Sequence, residues 1–176
     1  MPESFAAMVH LPHETLRCAP RTRRSSPLVI ARARCAPYPC ESTRYEVATL
    51  ITGLGIDIVQ TERVASVYQH YGRKFARRVL SPDELVAFDK SAYPVRFLAL
   101  RFAAKEATSK ALGTGFRQGV ALRLIEVTHN AAGKPSLRLH EAVAALAARQ
   151  GVTATHVSLT DEREYAAAVV VFESLA

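Results

Sequence analysis

From residue 51 onward, apolar and polar positions alternate between strand-like and helix-like patterns. Ile51–Val59 is an apolar run rich in β-branched residues and predicts a strand, although Gly53, Gly55 and the acid Asp57 interrupt it. Glu62–Tyr71 predicts a helix that stops at Gly72. Ser81-Pro82-Asp83-Glu84 is a helix start, with the hydroxyl as N-cap, proline at the first helical position and Glu84 closing a capping box. A long helix follows from about Val95 to Leu112. At 100° per residue, Phe97, Leu100, Ala103, Ala104, Ala107 and Ala111 fill one arc, and Leu98, Phe102 and Leu112 fall on another flank. Such a helix is expected to be mostly buried. Leu122–Thr128 and Ser136–Leu139 flank a hairpin loop at Asn130–Lys134, Glu141–Gln150 predicts an alanine-rich helix stopped at Gly151, and Thr155–Leu159 and Tyr165–Phe172 predict two final strands. Neighbouring hairpins with segregated helices indicate an α+β domain and not a doubly wound sheet.

Residues 1–50 have a different character. They hold six of the nine prolines, all three cysteines, seven arginines, no lysine and no glycine, and no apolar period persists in them. The domain is therefore expected to span 51–176. Residues 1–50 are expected to be an N-terminal extension, either disordered or lying upstream of the true start of translation; an organelle-targeting segment is the further alternative. Cys18, Cys35 and Cys40 have no zinc-like spacing, and the 51–176 region has no cysteine at all, so thiol chemistry is not expected there.

The chemistry concentrates in Phe102–Gly115, FAAKEATSKALGTG. Glu106 lies on the buried helix, where an isolated carboxylate would neutralise, so it needs a partner. Lys110, four residues on, is the expected one. Such a pair is often only a helix ion pair. Here, however, the helix runs directly into Gly113-Thr114-Gly115, where glycine permits φ > 0 and close approach of backbone to a ligand. Asp57 is a second misplaced acid, on an apolar strand; the plain alternative is a strand-end carboxylate bonded to a turn. Two such acids beside a lysine and a glycine loop suit Mg²⁺ held by one or two carboxylates plus substrate phosphates.

Five segments carry a resemblance. Gly55–Val59 (GIDIV), Arg63, Arg96–Gly115 (RFLALRFAAKEATSKALGTG), Gly133–Pro135 (GKP) and His156–Ala168 (HVSLTDEREYAAA) together, in this order and spacing, resemble the holo-acyl-carrier-protein synthases, a phosphopantetheinyl transferase family. The resemblance implies a compact protomer with a mainly antiparallel sheet, assembled as a homotrimer with active sites at subunit interfaces. It implies transfer of phosphopantetheine from coenzyme A to a serine of an acidic acyl carrier protein, with release of adenosine 3′,5′-bisphosphate, in support of fatty acid biosynthesis. Asp57 and Glu106 would be the Mg²⁺ ligands, with Glu106 and Lys110 catalytic. Arg101, Lys105, Lys110, Gly113, Gly115 and His156 would contact coenzyme A; for Arg101 and Lys105 a subunit interface or a solvated cationic stripe is the alternative, and for His156 a packed, hydrogen-bonded role. Arg63, Arg73 (or its neighbour Lys74) and Arg78 would meet the carrier protein. Asp161 stands where some relatives have histidine, and the general base is left open between a metal-bound water and a carboxylate.

Charge and length fit this reading without selecting it. The net charge of +7 suits an acidic partner, and steering of an acidic carrier is the expected use. Nucleic acid is the competing anion, but no RNA-recognition signature, helix-turn-helix pattern or zinc-finger spacing is present. A non-enzymatic scaffold would not need to retain Asp57, Glu106 and Lys110. Another phosphoryl transferase would be expected to show a P-loop, which is missing. No run approaches the roughly 18 apolar residues of a membrane span, so a soluble, cytoplasmic protein is expected.

Overall fold

The computed structural model describes residues 49–175, and the expectations for residues 1–48 lie outside the described residues. The elements in chain order are β1 (Thr49–Gln60), α1 (Thr61–Tyr71), α2 (Arg73–Val79), α3 (Pro82–Asp89), α4 (Pro94–Ala111), a 3₁₀ turn (Leu122–Leu124), β2 (Ile125–His129), β3 (Pro135–Leu139), α5 (Glu141–Arg149), β4 (Ala154–Asp161) and β5 (Tyr165–Leu175). β1, β5 and β4 form one antiparallel sheet in that order, and β2 pairs antiparallel with β3 in a second. The α+β reading and its antiparallel sheet hold.

Several elements differ from expectation, and β4 and β5 run on to Asp161 and Leu175. β1 begins at Thr49, two residues before the apolar run. α2 was not anticipated, because Gly72 reads as a stop; instead Gly72 adopts φ 52°, breaks the axis, and lets Phe75, Ala76 and Val79 point a second short helix at the core. Leu122–Leu124 is 3₁₀ and not strand, so the first half of the hairpin starts at Ile125. The Ser81 prediction is met in full: its hydroxyl accepts from Glu84 N–H and the Glu84 carboxylate accepts from Ser81 N–H.

α4 is the axis of the domain, packed against β1 and β5 on one side and α1, α2, α3 and β2 on others. One apolar cluster lies between α4, α5, β2 and β5, around Ala107, Val143, Val170 and Phe172. A second lies under α1 to α3, around Val64, Val79, Leu80, Phe88 and Leu98. The two strand glycines explain how close α4 comes to the sheet. A Cβ on Gly55 would collide with the Ala107 carbonyl, and one on Gly53 with the Ala111 carbonyl. The β1–β5 register also shifts between Ile51 and Gly53, so glycine here marks both a bulge and a close approach.

The far side of α4 carries a buried ionic cluster. Lys105 is 0% exposed, and its ammonium donates to Glu84 Oε2 at 2.5 Å, to the Leu122 carbonyl at 3.1 Å and to the Ile125 carbonyl. Glu84 Oε1 accepts from Val127 N–H at 3.0 Å. Burial lowers the Lys105 pKa and the Glu84 charge works against that shift. Arg101 is also buried, its guanidinium 4.4 Å from the Phe97 ring centre, with Nε 3.5 Å from Glu84 Oε1. Neither cation is part of a solvated stripe. Lys105 is further corrected as a coenzyme contact, because all its donors are used inside the fold.

Candidate functional site

Gly55, Asp57 and Val59 alternate onto the face of β1 that meets α4, since side chains reverse at every residue along a strand. The close approach at Gly55 brings Asp57 next to the α4 face that carries Glu106 and, one helical turn on, Lys110. Lys110 Nζ donates to Asp57 Oδ1 at 2.8 Å and to the Ile56 carbonyl at 2.9 Å. This corrects the expected pairing of Lys110 with Glu106: the lysine bridges helix to strand. Its charge still lowers the proton affinity of Glu106, but burial and the Asp57 charge, in that order, act the other way and win, so the Glu106 pKa is raised.

These three groups line a cavity of about 460 Å³ together with Arg63 of α1. Its apolar walls are Val64 and Val67 of α1, Phe75 of α2 and Phe102 of α4. Asp57 is 14% exposed and Lys110 52% exposed, so the carboxylate sits at the base and the ammonium at the mouth. The cavity thus has two carboxylates, one lysine, one arginine and an apolar wall. That set suits a divalent cation and a phosphate on one side and an uncharged chain on the other. The walls Val67 and Phe75 were missed in the sequence, although Val64 and Val67, three apart on α1, carried a helical signal for one face.

The remaining candidates lie elsewhere. Arg101 lines a separate cavity of about 210 Å³ with Phe97, Thr128 and His129, and its Nε has no hydrogen-bond partner. Burial and the nearby Arg101 charge both lower the His129 pKa. Gly113 and Gly115 adopt φ 72° and 57°, as a glycine-dependent loop requires, directly after α4. His156 is on the outer strand β4, 3.0 Å from Glu173 Oε2, on the sheet face opposite Asp57. Arg73 is tied to Asp89 at 2.7 Å. Arg78 lines a cavity with Tyr71, Lys74 and Phe75, and Phe75 also lines the Asp57 site. Asp161 accepts a bidentate contact from Arg96, with one bond at 3.0 Å, which joins the β4–β5 turn to the start of α4. Among the described residues no group of three or more histidine, cysteine, aspartate or glutamate side chains gathers as a metal site.

Comparison with known proteins gives one consistent answer. The chain is 52% identical over 124 residues to the holo-[acyl-carrier-protein] synthase of Yersinia enterocolitica, covering 70% of this chain and 98% of that protein. The crystal structure of holo-[acyl-carrier-protein] synthase from Neisseria meningitidis superposes with a TM-score of 0.68 at 41% identity, over 71% of this chain and 100% of that one. A holo-(acyl-carrier-protein) synthase from Bacillus anthracis, solved in complex with CoA (3′,5′-ADP), superposes with a TM-score of 0.59 at 35% identity, over 70% of this chain and 97% of that one. The family model of the 4′-phosphopantetheinyl transferase superfamily matches residues 53–170, which include Asp57, Glu106 and Lys110. The chain belongs to the 4′-phosphopantetheinyl transferase superfamily.

Proposed function

We propose that this chain is a holo-acyl-carrier-protein synthase that transfers 4′-phosphopantetheine from coenzyme A to a serine of an acidic apo-acyl carrier protein, in support of fatty acid biosynthesis. The observation that carries this reading is the meeting of Asp57, Glu106, Lys110 and Arg63, drawn from three separate elements, around one cavity. In the reaction the serine Oγ forms a bond to the β-phosphorus of coenzyme A. The bond from that phosphorus to the bridging oxygen breaks, adenosine 3′,5′-bisphosphate leaves, and the serine proton is released.

The residues fit Mg²⁺. Two carboxylates close enough to raise the proton affinity of one of them form a site that a cation would relieve. Asp57 and Glu106 would hold the ion, in keeping with the one or two carboxylates through which Mg²⁺ is usually bound. Bound there, Mg²⁺ supplies charge neutralisation to the pyrophosphate and its leaving group. Lys110 already satisfies Asp57 as a cation, and on the arrival of substrate its ammonium is placed to bind a phosphate oxygen. Val64, Val67, Phe75 and Phe102 exclude water from one side of the cavity, and Arg63 at the rim meets the acidic carrier.

A homotrimer with shared active sites is part of this proposal. The outer face of β1 exposes Leu54, Ile56 and Ile58, next to the half-exposed Val169 of β5. Contiguous apolar surface of this kind is normally covered. Arg101 and His156 both lie away from Asp57 within one protomer, so a coenzyme that touches all three needs a second protomer. A cytoplasmic location and a self-sufficient transferase domain over 51–176 complete the reading; no helix among the described residues is long and apolar enough to cross a membrane. The direct test is mass spectrometry of an apo-acyl carrier protein incubated with this chain, coenzyme A and Mg²⁺. A mass gain of one phosphopantetheine supports the reading, and an unmodified carrier refutes it.

A further inference from the structure

The last carbonyls of a helix lack intrahelical donors and must be satisfied from outside. At the end of α4, the Thr108 carbonyl accepts from Leu112 N–H, that of Ser109 from Gly115 N–H at 3.3 Å, and that of Lys110 from Gly113 N–H at 3.0 Å. The Leu112 carbonyl is different. It accepts from the side-chain amide of Gln150 at 2.9 Å, across 38 residues of sequence, and Gln150 is itself the C-cap of α5. One glutamine thus joins the C-terminal ends of two helices.

The segment that this bond anchors is the loop 113–119, whose shape is tightly defined. Gly113, Gly115, Gln118 and Gly119 all have positive φ, at 72°, 57°, 53° and 83°. At its far end the loop meets α5 again: a Cβ on Gly119 would come within 3.0 Å of Ala142 Cβ. α5 therefore supports the loop at both ends, through Gln150 at the entrance and Ala142 at the exit. The entrance is two residues beyond Lys110, which lines the Asp57 cavity.

We infer that Gln150 is a positioning residue for coenzyme A binding, acting through the Leu112 carbonyl on the loop 113–119. The inference rests on the reading of this loop as a coenzyme contact. Gln150 is exposed and donates only its side-chain amide to a backbone carbonyl, so its loss is expected to change the loop more than the fold.

The test uses the full chain with Gln150→Met, which keeps the length of the side chain and removes the donor, and Gln150→Lys, which restores a donor. Gln150→Met is expected to raise the KM for coenzyme A about three- to tenfold, the equilibrium equivalent of one net hydrogen bond. The kcat and the KM for the carrier should stay within about twofold, and hydrogen exchange at the Gly113 and Gly115 amides should speed up. Gln150→Lys should return the KM to within about twofold of the wild type. Gly113→Ala, strained at φ 72°, is the control for the loop itself. An unchanged KM for coenzyme A in Gln150→Met together with a raised one in Gly113→Ala overturns the role of Gln150 and keeps the loop. Unchanged values in both overturn the role of Gln150 and the loop reading with it. A fall in kcat and melting temperature with no change in KM also overturns the inference, since that is the pattern of a merely structural residue.

Discussion

Lys110 Nζ lies 2.8 Å from Asp57 Oδ1, so the last turn of the central helix is joined to the first strand by an ion pair that lines the cavity. With Lys110 52% exposed, this contact contributes little to stability, as solvent screens pairs of this kind. Its placement matters more: the ammonium sits where a phosphate and a cation would meet the Asp57 carboxylate. Lys110→Ala is therefore expected to leave the melting temperature nearly unchanged and to lower kcat about 10²–10³-fold, in the range for loss of one preorganised charge donor. Steady-state kinetics with two different carriers checks this, and equal losses of turnover with both are expected.

Glu106 has a raised pKa through burial first and the Asp57 charge second. For an acid whose pKa is higher in the folded state, the penalty is absent at pH below the ordinary carboxylate value. It grows as pH rises from that value through the raised folded-state pKa. The metal-free protein should thus lose stability over that interval, whereas Glu106→Gln should not show this loss. Added Mg²⁺ should remove the difference by favouring the ionised form. Thermal melts against pH, with and without Mg²⁺, check both signs.

Arg63 stands on the rim of the cavity, exposed and on a different helix from Glu106 and Lys110. A rim charge acts mainly on encounter and is screened over about 8 Å at physiological salt. Arg63→Ala is expected to raise the KM for the carrier, to flatten its salt dependence and to leave the KM for coenzyme A unchanged. Equal effects on both substrates would place Arg63 in the nucleotide site.

Lys105 is a buried structural cation with Glu84, Leu122 and Ile125 as partners. Lys105→Met leaves Glu84 charged and short of a partner, an outcome that costs about 3–5 kcal/mol when a buried pair is broken. The variant should melt at a much lower temperature, and below that temperature its KM for coenzyme A should match the wild type. A raised KM in the folded variant would return Lys105 to the coenzyme site.

The sequence carried the elements well because their signals are local. The Ser81–Glu84 capping box, the stop at Gly151 and the hairpin loop at Asn130–Lys134 each depend on residues a few positions apart. Asp57 and Glu106 were also legible, since an acid within an apolar strand or a buried helix conflicts with its own surroundings. The partners of these groups were not. Glu84 reads as a capping residue and nothing more until α4 packs beside it, and only then does Lys105 find it, 21 residues away. Lys110 likewise has a ready partner one turn back, and the close approach that Gly55 permits moves it to Asp57 instead. Helical angle alone could not separate Arg101 and Lys105 from solvent, because α4 is covered on several sides and buries charged as well as apolar positions.

The central claim is that Asp57 and Glu106 together hold the cation on which phosphopantetheine transfer depends. Its most direct test is the mass of an apo-acyl carrier protein after incubation with coenzyme A, saturating Mg²⁺ and the wild-type, Asp57→Ala or Glu106→Ala chain. The wild type should add one phosphopantetheine to every carrier molecule, and each variant, folded by circular dichroism, should leave the carrier unmodified over the same time. Near-normal modification by either folded variant would contradict the assignment of these two carboxylates as the metal site.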